Sequence, residues 1–519
     1  MAERTRRRWI WVLAVVGVLA AVAVAVPVGV WSMGGKPDID GVADGAVLHP
    51  DRLGDLAVSA DDDIVLLVDG EQVRTRRDGD RIVLADPGLD EGVHSVTARD
   101  TAPLLPDRET THHFTVDATP PELTVDDTEV TSLTEPYTLT GRAEDASVVT
   151  VDDQVVPLEE DGTFSVELPR PPATVSVLAR DAAGNTATEE HQVQVRHPGM
   201  RAVHMSAMAW SSPTLRDPVL RMAREGRIDT VQLDIKDEAG DVGYLSNVPL
   251  AKQIGATNDH YDAKAVAEQL NDLGVRLVGR LVAFRDPVLA EASWASGKHD
   301  RVIQTSGGTP WSGSYGEYAF TNFANPEVVA YNVALAEEAA ELGFDDILYD
   351  YVRRPEGSLE QMRIPGLQGT PEQAIVDFLA TSRDSVRPHG AFLGASVFGI
   401  AVDRPTAIAQ DIGAMAPVVD YVSPMVYPSH WGPGEFGVAN PESQPYDITY
   451  RSLKAFVDLM KGSGAEVIPW LQAFSMSRTY GPAEVAAQID AAKKATGAES
   501  YLLWNASCRY DTTGLKPAS

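Results

Sequence analysis

Hydrophobic and polar residues follow three different patterns along the chain, and each pattern predicts a different kind of structure. Residues 9–31 contain no charged side chain. Residues 63–100 and 147–186 alternate apolar and polar positions with a period of two, which is typical of strands with one buried face. From Arg201 onward, short apolar runs alternate with amphipathic stretches, which indicates strands joined by helices.

The first pattern is long enough to cross a membrane. A helix over residues 9–31 spans about 34 Å, and the hydrocarbon core of a bilayer is about 30 Å thick. Four arginines in residues 4–8 precede it, so the positive-inside rule leaves the N-terminus in the cytoplasm. We expect residues 1–35 to be a cytoplasmic tail and a single-pass anchor in the cell membrane. The alternative is a cleaved signal peptide with a secreted product, since Ala-x-Ala patterns occur in residues 21–25. Under either interpretation, the rest of the chain is expected to be exported from the cytoplasm.

The two segments with period-two alternation share one plan. In each, a strand ending in VDG or VDD precedes a short return strand, a DGD or EDG turn, another strand and a last strand that reaches ARD. Asp-Gly between alternating strands is a strong hairpin signal, and regular short strands are typical of a sandwich. Prolines at 120–121 and at 198 mark the ends, so we expect β-sandwich modules at residues 36–118 and 119–198. Neither contains a tryptophan, which favours a spacer over a sugar-binding module.

The third pattern predicts a (β/α)₈ (TIM) barrel over residues 199–519, with a doubly wound open sheet as the alternative. Amphipathic stretches such as 263–274 and 326–343 separate the apolar runs. No glycine-rich phosphate loop follows the first strand, which counts against a nucleotide-binding open sheet. The expected strands are 201–208, 229–236, 275–284, 345–352, 391–398, 419–427, 465–472 and 499–505.

Composition narrows the class of protein further. A chain of 519 residues with 44% hydrophobic content is expected to hold about two to four domains. The 43 lysines and arginines against 75 acidic residues give a net charge of −32, which repels nucleic acid and anionic headgroups. Cys508 is the single cysteine, so no intramolecular disulfide and no CxxC metal or redox site can form.

Polar and aromatic side chains are expected to meet at one end of the barrel. Alternate strand residues face inward, and active sites lie at the carboxyl ends of the strands. Even-numbered positions of most strands, and odd-numbered positions of the sixth strand, collect acidic, basic and aromatic groups, which suit sugar rings with apolar faces and a rim of hydroxyls. These positions include Gln232, Asp234, Lys236, Arg280, Asp350, Phe398, Met425, Tyr427, Trp470, Gln472 and Trp504. The histidines are scattered without ligand spacing, so we expect no metal and no cofactor.

Four motifs in this order resemble a bacterial family of glycosyl hydrolase domains: residues 231–244, 279–287, 344–355 (FDDILYDYVRRP) and 502–510. The resemblance covers about residues 201–509 and implies a TIM barrel that hydrolyses glycosidic bonds. More distantly, residues 344–351 and 423–428 and Trp504 resemble strands 4, 6 and 8 of chitinase-like family 18 hydrolases. Val352 stands where chitinases place their acid glutamate, which puts their substrate-assisted mechanism in doubt. DAAGNT, at residues 181–186, resembles the last strand of bacterial immunoglobulin-like modules.

A glycosidase usually needs two carboxyl groups beside the scissile bond. Asp350 is the first candidate, because neighbouring arginines would keep it ionised as a nucleophile or base. Asp234, Asp237 and Glu238 are alternatives for the acid; Lys236 is expected to hold Asp234 ionised, and substrate to bury Glu238 and raise its pKa. The candidates for substrate binding are Lys236, Asp237, Arg280, Asp286, Tyr349, Arg353, Met425, Tyr427, Trp470, Gln472, Trp504 and Asn505, with Trp311 and Trp431 as further sugar platforms.

The sequence therefore predicts an exported glycoside hydrolase that acts on a cell-envelope or extracellular polysaccharide. Its partners are the polysaccharide and, through the N-terminal helix, the cytoplasmic membrane; nucleic acid is not expected. The alternative is a catalytically inactive barrel that binds glycan as a scaffold of the envelope, because pseudoenzymes keep aromatic platforms and lose a carboxylate. The arrangement of carboxylates in the cleft distinguishes the two.

Overall fold

The computed structural model describes residues 36–59, 64–86, 88–101 and 108–517. The predicted membrane segment at residues 9–31 lies outside these ranges. Within them, no helix combines the length and the apolar character needed to span a bilayer.

In the described part of the first β-rich segment, nine strands form two sheets. A four-stranded sheet has the order β1-β3-β7-β6, and a five-stranded sheet the order β2-β9-β8-β4-β5. Side chains of both sheets share one core, in which Val58 meets Leu66, Val96 and Phe114. This is the two-layer arrangement that period-two alternation predicts. The strands are β1 Ile39–Asp40, β2 Ala46–Leu48, β3 Ala57–Ser59, β4 Ile64–Val68, β5 Glu71–Gln72, β6 Thr75–Asp78, β7 Arg81–Leu84, β8 Gly92–Asp100 and β9 Arg108–Val116.

The second segment repeats part of this pairing, as its sequence plan predicts. Strand β4 pairs antiparallel with β5 and with β8, the strand that reaches ARD. Its counterpart β12 pairs antiparallel with β13 and with β15, which also ends in the ARD motif. The two sheets have the orders β10-β11-β14 and β13-β12-β15-β16. The strands are β10 Glu122–Val125, β11 Tyr137–Glu144, β12 Val148–Val151, β13 Gln154–Val156, β14 Thr163–Leu168, β15 Thr174–Arg180 and β16 Thr186–Gln192.

The hairpin turns of the two segments differ in their chemistry. Asp69 and Gly70 have φ angles of 52° and 82°, and Asp152 and Asp153 have φ angles of 45° and 63°. Two consecutive positive φ angles define the turn that matches strand twist, and glycine adopts them without steric cost. The second turn therefore carries an aspartate where the first has the favoured glycine.

Eight parallel strand positions close into a barrel and confirm the predicted fold. The order is β23-β21-β19-β18-β17-β27-β26-β24, and pairing of β23 with β24 closes the ring. The seventh position is split into β25 and β26 around Pro469, which cannot donate a ladder hydrogen bond. The barrel strands are β17 Arg201–Met205, β18 Thr230–Lys236, β19 Arg276–Val282, β21 Asp346–Asp350, β23 Phe392–Phe398, β24 Tyr421–Met425, β25 Glu466–Val467, β26 Trp470–Gln472 and β27 Tyr501–Trp504. Outside the barrel, β20 Gln304–Thr305 and β22 Met362–Arg363 pair antiparallel in a separate two-stranded sheet.

Helices alternate with these strands, and most of them begin at a proline. Proline suits the first helical position, because its fixed φ fits the helix and its missing N–H is not needed there. Asp286, Asn325 and Thr370 cap three of the helices by accepting backbone N–H bonds. The helices are α1 Ala207–Ser211, α2 Pro213–Arg224, α3 Pro249–Ile254, α4 Ala263–Asn271, α5 Pro287–Ala295, α6 Pro326–Glu341, α7 Pro371–Val386, α8 Ile412–Met415, α9 Pro445–Leu459 and α10 Pro482–Thr496.

The chain divides into two compact units. One consists of the described residues between 36 and 124 together with 142–164 and 177–189, and the other of residues 125–141, 165–176 and 190–517. In the second unit, His197 is fully buried, and its Nε2 lies 2.7 Å from Asp346 Oδ1 at the start of β21. Arg276 donates to the other oxygen of Asp346 at 2.7 Å. The buried interactions of the barrel therefore include residues before 199.

Candidate active site

Arg280 lies at the centre of the barrel's carboxyl end and joins three carboxylates. Its side chain is 1% exposed. Nε and Nη2 donate to Asp350 Oδ2 at 3.0 and 2.7 Å, and Nη1 donates to Asp234 Oδ1 at 3.1 Å. Nη2 also donates to Glu238 Oε1. The structure thus brings together Asp234, Glu238 and Asp350, the three residues that the sequence nominates for catalysis.

The backbone around Arg280 is closely packed by a side chain of the neighbouring strand β18 and by one of the connection between α6 and β21. A side chain at the preceding Gly279 would overlap Ile235 and Phe344. Glycine at this position lets β19 pack against both residues and keeps Arg280 on the inner face.

A cavity of about 420 Å³ opens above Arg280. It is lined by Glu238, Arg280, Tyr315, Asp350, Tyr351, Phe398, Gly399, Ile400, Met425, Tyr427, His430, Trp431, Trp470 and Trp504, and we call it the cleft. Glu238 and Asp350 bind the same nitrogen of Arg280, so their bonded oxygens lie within two hydrogen-bond lengths, about 6 Å. Asp234 is 3% exposed and does not line the cleft.

The environment separates the pKa values of two of these carboxyl groups. Burial raises the pKa of Asp234 to about 7, although the charge of Arg280 opposes this. Burial also acts to raise the pKa of Glu238, but the charge and hydrogen bond of Arg280 outweigh it and lower that pKa to about 2. At neutral pH the free protein therefore keeps Glu238 ionised, and Asp234 is partly protonated.

The alternation predicts that Lys236 faces the barrel interior and holds Asp234 ionised, and both expectations are wrong. The pairing of β18 with β19 shifts register between Asp234 and Lys236, which turns Lys236 toward the helices. There Lys236 Nζ lies 2.6 Å from Asp286 Oδ2 and 2.9 Å from Asn332 Oδ1. Asp286 also caps α5. The two predicted substrate contacts instead bind each other outside the cleft.

Two predicted substrate-binding residues next to Asp350 pack behind the residues that line the cleft. Tyr349 is buried, and its hydroxyl donates to the backbone oxygen of Asn332 at 3.2 Å, on the helix side of β21. Arg353 is also buried, and its guanidinium carbon lies 4.4 Å from the ring centroid of Phe398 and 5.0 Å from that of Tyr351. Neither residue lines the cleft. Arg353 packs against the rings of Phe398 and Tyr351, which do line it.

Three polar candidates hold loops rather than line the cleft. Asp237 accepts from the backbone N–H groups of Ala239 and Asp241. Gln472 accepts from the backbone of Ser429 and donates to that of Phe474. Asn505 donates to the backbone oxygens of Ala473 and Arg509. Each of these bonds fixes a loop next to the carboxyl end of a barrel strand.

Aromatic rings form one wall of the cleft. Trp470 and Trp504 meet edge to face at 5.5 Å, and Trp470 Nε1 donates to Ser396 Oγ at 2.9 Å. The ring centroid of Trp504 lies 4.9 Å from the guanidinium carbon of Arg280. The same ring stacks on the imidazole of His204, with 4.1 Å between the ring centroids. Burial and the charge of Arg280 lower the pKa of His204 to about 3, so this imidazole is neutral. Such rings offer the flat apolar faces on which sugars stack.

Met425, Tyr427 and Trp431 line the cleft, whereas Trp311 packs against Gly357 outside its lining. Sequence reasoning missed Tyr315, which lies on a loop, and Ile400 and His430, which lie in short 3-10 helices after barrel strands; none of these segments has a periodic pattern. Among the described residues, one group has the spacing of metal ligands: Glu337, Glu341 and His389. None of these three lines the cleft.

A closed (β/α)₈ barrel with acidic and aromatic residues at the carboxyl ends of its strands has the architecture and the site composition that suit a carbohydrate-active enzyme. The chain belongs to the family described as "Putative glycosyl hydrolase domain", whose model matches residues 202–510. The protein is accordingly a glycosidase with a carbohydrate substrate. No curated protein matches the chain.

The solved structures that are similar to this chain include the following three. A hypothetical protein from Ruminiclostridium thermocellum is 30% identical, and the match covers 37% of this chain and 96% of that one with a TM-score of 0.33. The PgaB (BpsB) glycoside hydrolase domain from Bordetella bronchiseptica is 16% identical over 60% of this chain and 95% of that one, with a TM-score of 0.46. An endo-1,4-β-D-mannanase from Thermotoga petrophila is 11% identical over 59% and 88%, with a TM-score of 0.39.

Proposed function

We propose that this protein hydrolyses glycosidic bonds in a cell-envelope or extracellular polysaccharide. The observation that carries the proposal is the pair formed by Glu238 and Asp350, which line one cleft and bind the same nitrogen of Arg280. A glycosidase needs two carboxyl groups on either side of the bond that breaks. Trp470 and Trp504 beside the pair provide surfaces for the sugar rings.

Asp350 is assigned as the nucleophile and Glu238 as the acid. Asp350 accepts two hydrogen bonds from Arg280, which hold its carboxylate in place. The side chain of Glu238 is 31% exposed, so it can reach a leaving-group oxygen. Retaining glycosidases place their two carboxyl groups about 5–5.5 Å apart and inverting ones about 6.5–9.5 Å apart. A shared hydrogen-bond donor fits the shorter separation, so we expect retention of configuration.

Glu238 must gain a proton before it can act as the acid. In the free protein Arg280 keeps its pKa at about 2, so the assignment requires the glycan to separate Glu238 from Arg280. Burial by substrate without that ion pair would raise the pKa of Glu238. Asp234, with a pKa of about 7, is partly protonated within the same cluster at neutral pH.

Variants at the two carboxylates test these roles. Asp350→Asn should abolish turnover on every substrate, because the attacking anion is lost. Glu238→Gln should lose orders of magnitude on the polysaccharide but much less on an aryl glycoside with a good leaving group, which needs no proton. Release of reducing ends measures turnover of the polysaccharide, and release of nitrophenol measures turnover of the aryl glycoside. Equal losses on both substrates would contradict the role of Glu238, and turnover of Asp350→Asn within about threefold of the parent would contradict that of Asp350.

Export and membrane attachment rest on the sequence pattern of residues 9–31. We propose a single-pass anchor with everything after about residue 34 outside the cell. Protease added to intact cells should then remove the barrel and spare the cytoplasmic tail. A barrel that resists the protease until the cells are lysed would contradict this location. A protein that binds an envelope polysaccharide but never cleaves it would instead be the glycan-binding scaffold.

A further inference from the structure

We infer that the cleft accepts uncharged sugar units and rejects units that carry a carboxylate, sulfate or phosphate. This inference rests on the proposed function, because it names the substrate class of the same site. It concerns the sugars next to the carboxylate pair and leaves more distant units of a polymer free to carry charge.

The cleft presents negative charge without an available positive partner. Glu238 and Asp350 face it, and Arg280 is the single arginine or lysine among its described lining residues. Each of the three nitrogens of Arg280 already donates to a carboxylate. An anionic sugar would meet the carboxylate of Asp350 at short range, and that of Glu238 in the free protein, while Arg280 is 1% exposed and stays bonded to Asp350 and Asp234.

Other positive groups near the cleft are also engaged. Burial lowers the pKa of His430, which favours its neutral form. Arg285 is absent from the lining; its guanidinium carbon lies 4.4 Å from the ring centroid of Tyr315, and Nη1 donates to the hydroxyl of Tyr351 at 2.8 Å.

The remaining lining favours the faces of uncharged sugars. Trp431, Trp470 and Trp504 offer broad rings, and Met425 and Ile400 add apolar surface. Flat apolar faces together with hydroxyl groups are what a neutral sugar ring presents. Recognition of a charged substituent would need a free arginine fork or lysine, and none lines the described cleft.

A panel of paired glycans tests the inference with the full chain. The neutral members are β-glucan, galactomannan and chitin oligosaccharides, and the anionic members are polygalacturonate, alginate and hyaluronan. We expect binding to at least one neutral member. We also expect oxidation of its primary hydroxyl groups to carboxylates to weaken binding at least tenfold, which is about 1.4 kcal/mol. Methyl esterification of the same oxidised glycan should restore binding, since it removes the charge and keeps the bulk.

The experiment separates failure of the inference about substrate charge from failure of the proposed hydrolase function. Tightest binding to an anionic member, or no binding to any neutral one, would overturn the inference, whereas cleavage of an anionic polymer would still support the proposed hydrolase. Binding of a neutral glycan without cleavage would support the inference and overturn the proposed function.

A charge introduced into the lining provides a second test. Ile400 is half-buried at the edge of the cleft after β23. Ile400→Lys should raise affinity for the oxidised glycan at least threefold, and the gain should disappear in high salt. Ile400→Gln is the matched neutral control and should show no gain. Equal affinities of the two folded variants would overturn the inference; if the lysine variant does not fold, the panel with its esterified control decides.

Discussion

Lys236 Nζ and Asp286 Oδ2 lie 2.6 Å apart in an ion pair whose two side chains are fully buried. Burial lowers the pKa of Lys236, and the charge of Asp286 opposes that effect. Asn332 and the ring of Tyr331 complete the surroundings of the ammonium group. This pair joins β18 to the start of α5 and has no contact with the cleft.

Lys236→Met should therefore destabilise the barrel without changing its affinity for sugar. Removing one partner of a buried ion pair leaves the other charge unpaired and typically costs about 3–5 kcal/mol. Denaturant unfolding measures the loss, and glycan binding by the folded fraction measures affinity. Lys264→Met is the control; Lys264 is 69% exposed, and its loss should change stability by about 0.5 kcal/mol or less. A large loss of sugar affinity with unchanged stability would restore Lys236 to the substrate site.

The raised pKa of Asp234 predicts that stability falls as pH rises from about 4 to about 7. In this window the folded protein keeps a proton that the unfolded chain has released, so stability is greatest at the acidic end and is lost toward the folded pKa. The slope should reach at most about 1.4 kcal/mol per pH unit. Glu238 acts in the opposite direction, because its lowered pKa adds stability as pH rises from about 2 to 4.5.

Asp234→Asn isolates this contribution, because it cannot titrate. Denaturant unfolding of parent and variant at pH 5, 6 and 7 should show a difference that depends on pH, while other titrating groups cancel. A constant difference across the three pH values would show that Asp234 is ionised throughout.

His197→Ala should destabilise the barrel by about 1–3 kcal/mol, because buried Asp346 loses one of its two charged or polar side-chain partners. Arg276 remains and limits the loss. Thermal unfolding of the full chain measures it, and His191→Ala in β16 is a comparison outside the barrel sheet. A chain that begins at Gly199 should lose more stability than His197→Ala, because it also removes Leu133 and the other residues of the same compact unit that precede the barrel. An unchanged barrel transition in both proteins would contradict a structural role for His197.

The two hairpin turns predict opposite effects of reciprocal substitutions. Asp153→Gly should stabilise the second module by about 0.5–1 kcal/mol, because φ is 63° there and glycine adopts it without strain. Gly70→Asp should destabilise the first module by a similar amount, since φ is 82° and no atom lies within 4 Å of an added Cβ. Calorimetry of the full chain reports both. Effects of the same sign would contradict backbone strain as the cause.

The hydrophobic pattern by itself determined the number and place of the barrel strands. Parallel strands buried on both faces appear as apolar runs, and all eight runs correspond to strands. The pattern also determined that Asp234, Arg280, Asp350, Trp470 and Trp504 meet, because the carboxyl ends of parallel strands lie on one face of a barrel. The anchor at residues 9–31 stays a prediction.

Only the tertiary structure decided which of these side chains share the cleft and in what state of charge. The register shift after Asp234 reverses the alternation, so Lys236 faces the helices; no periodicity reveals such a bulge. Tyr315 and Ile400 reach the cleft on connecting segments whose path depends on packing with distant elements. Burial opposes the charged form of Asp234, while Arg280 secures that of Glu238. Each of these pKa shifts is the sum of contributions from neighbours that are remote in the chain. The hydrophobic pattern of the sequence does not show which residues those neighbours are.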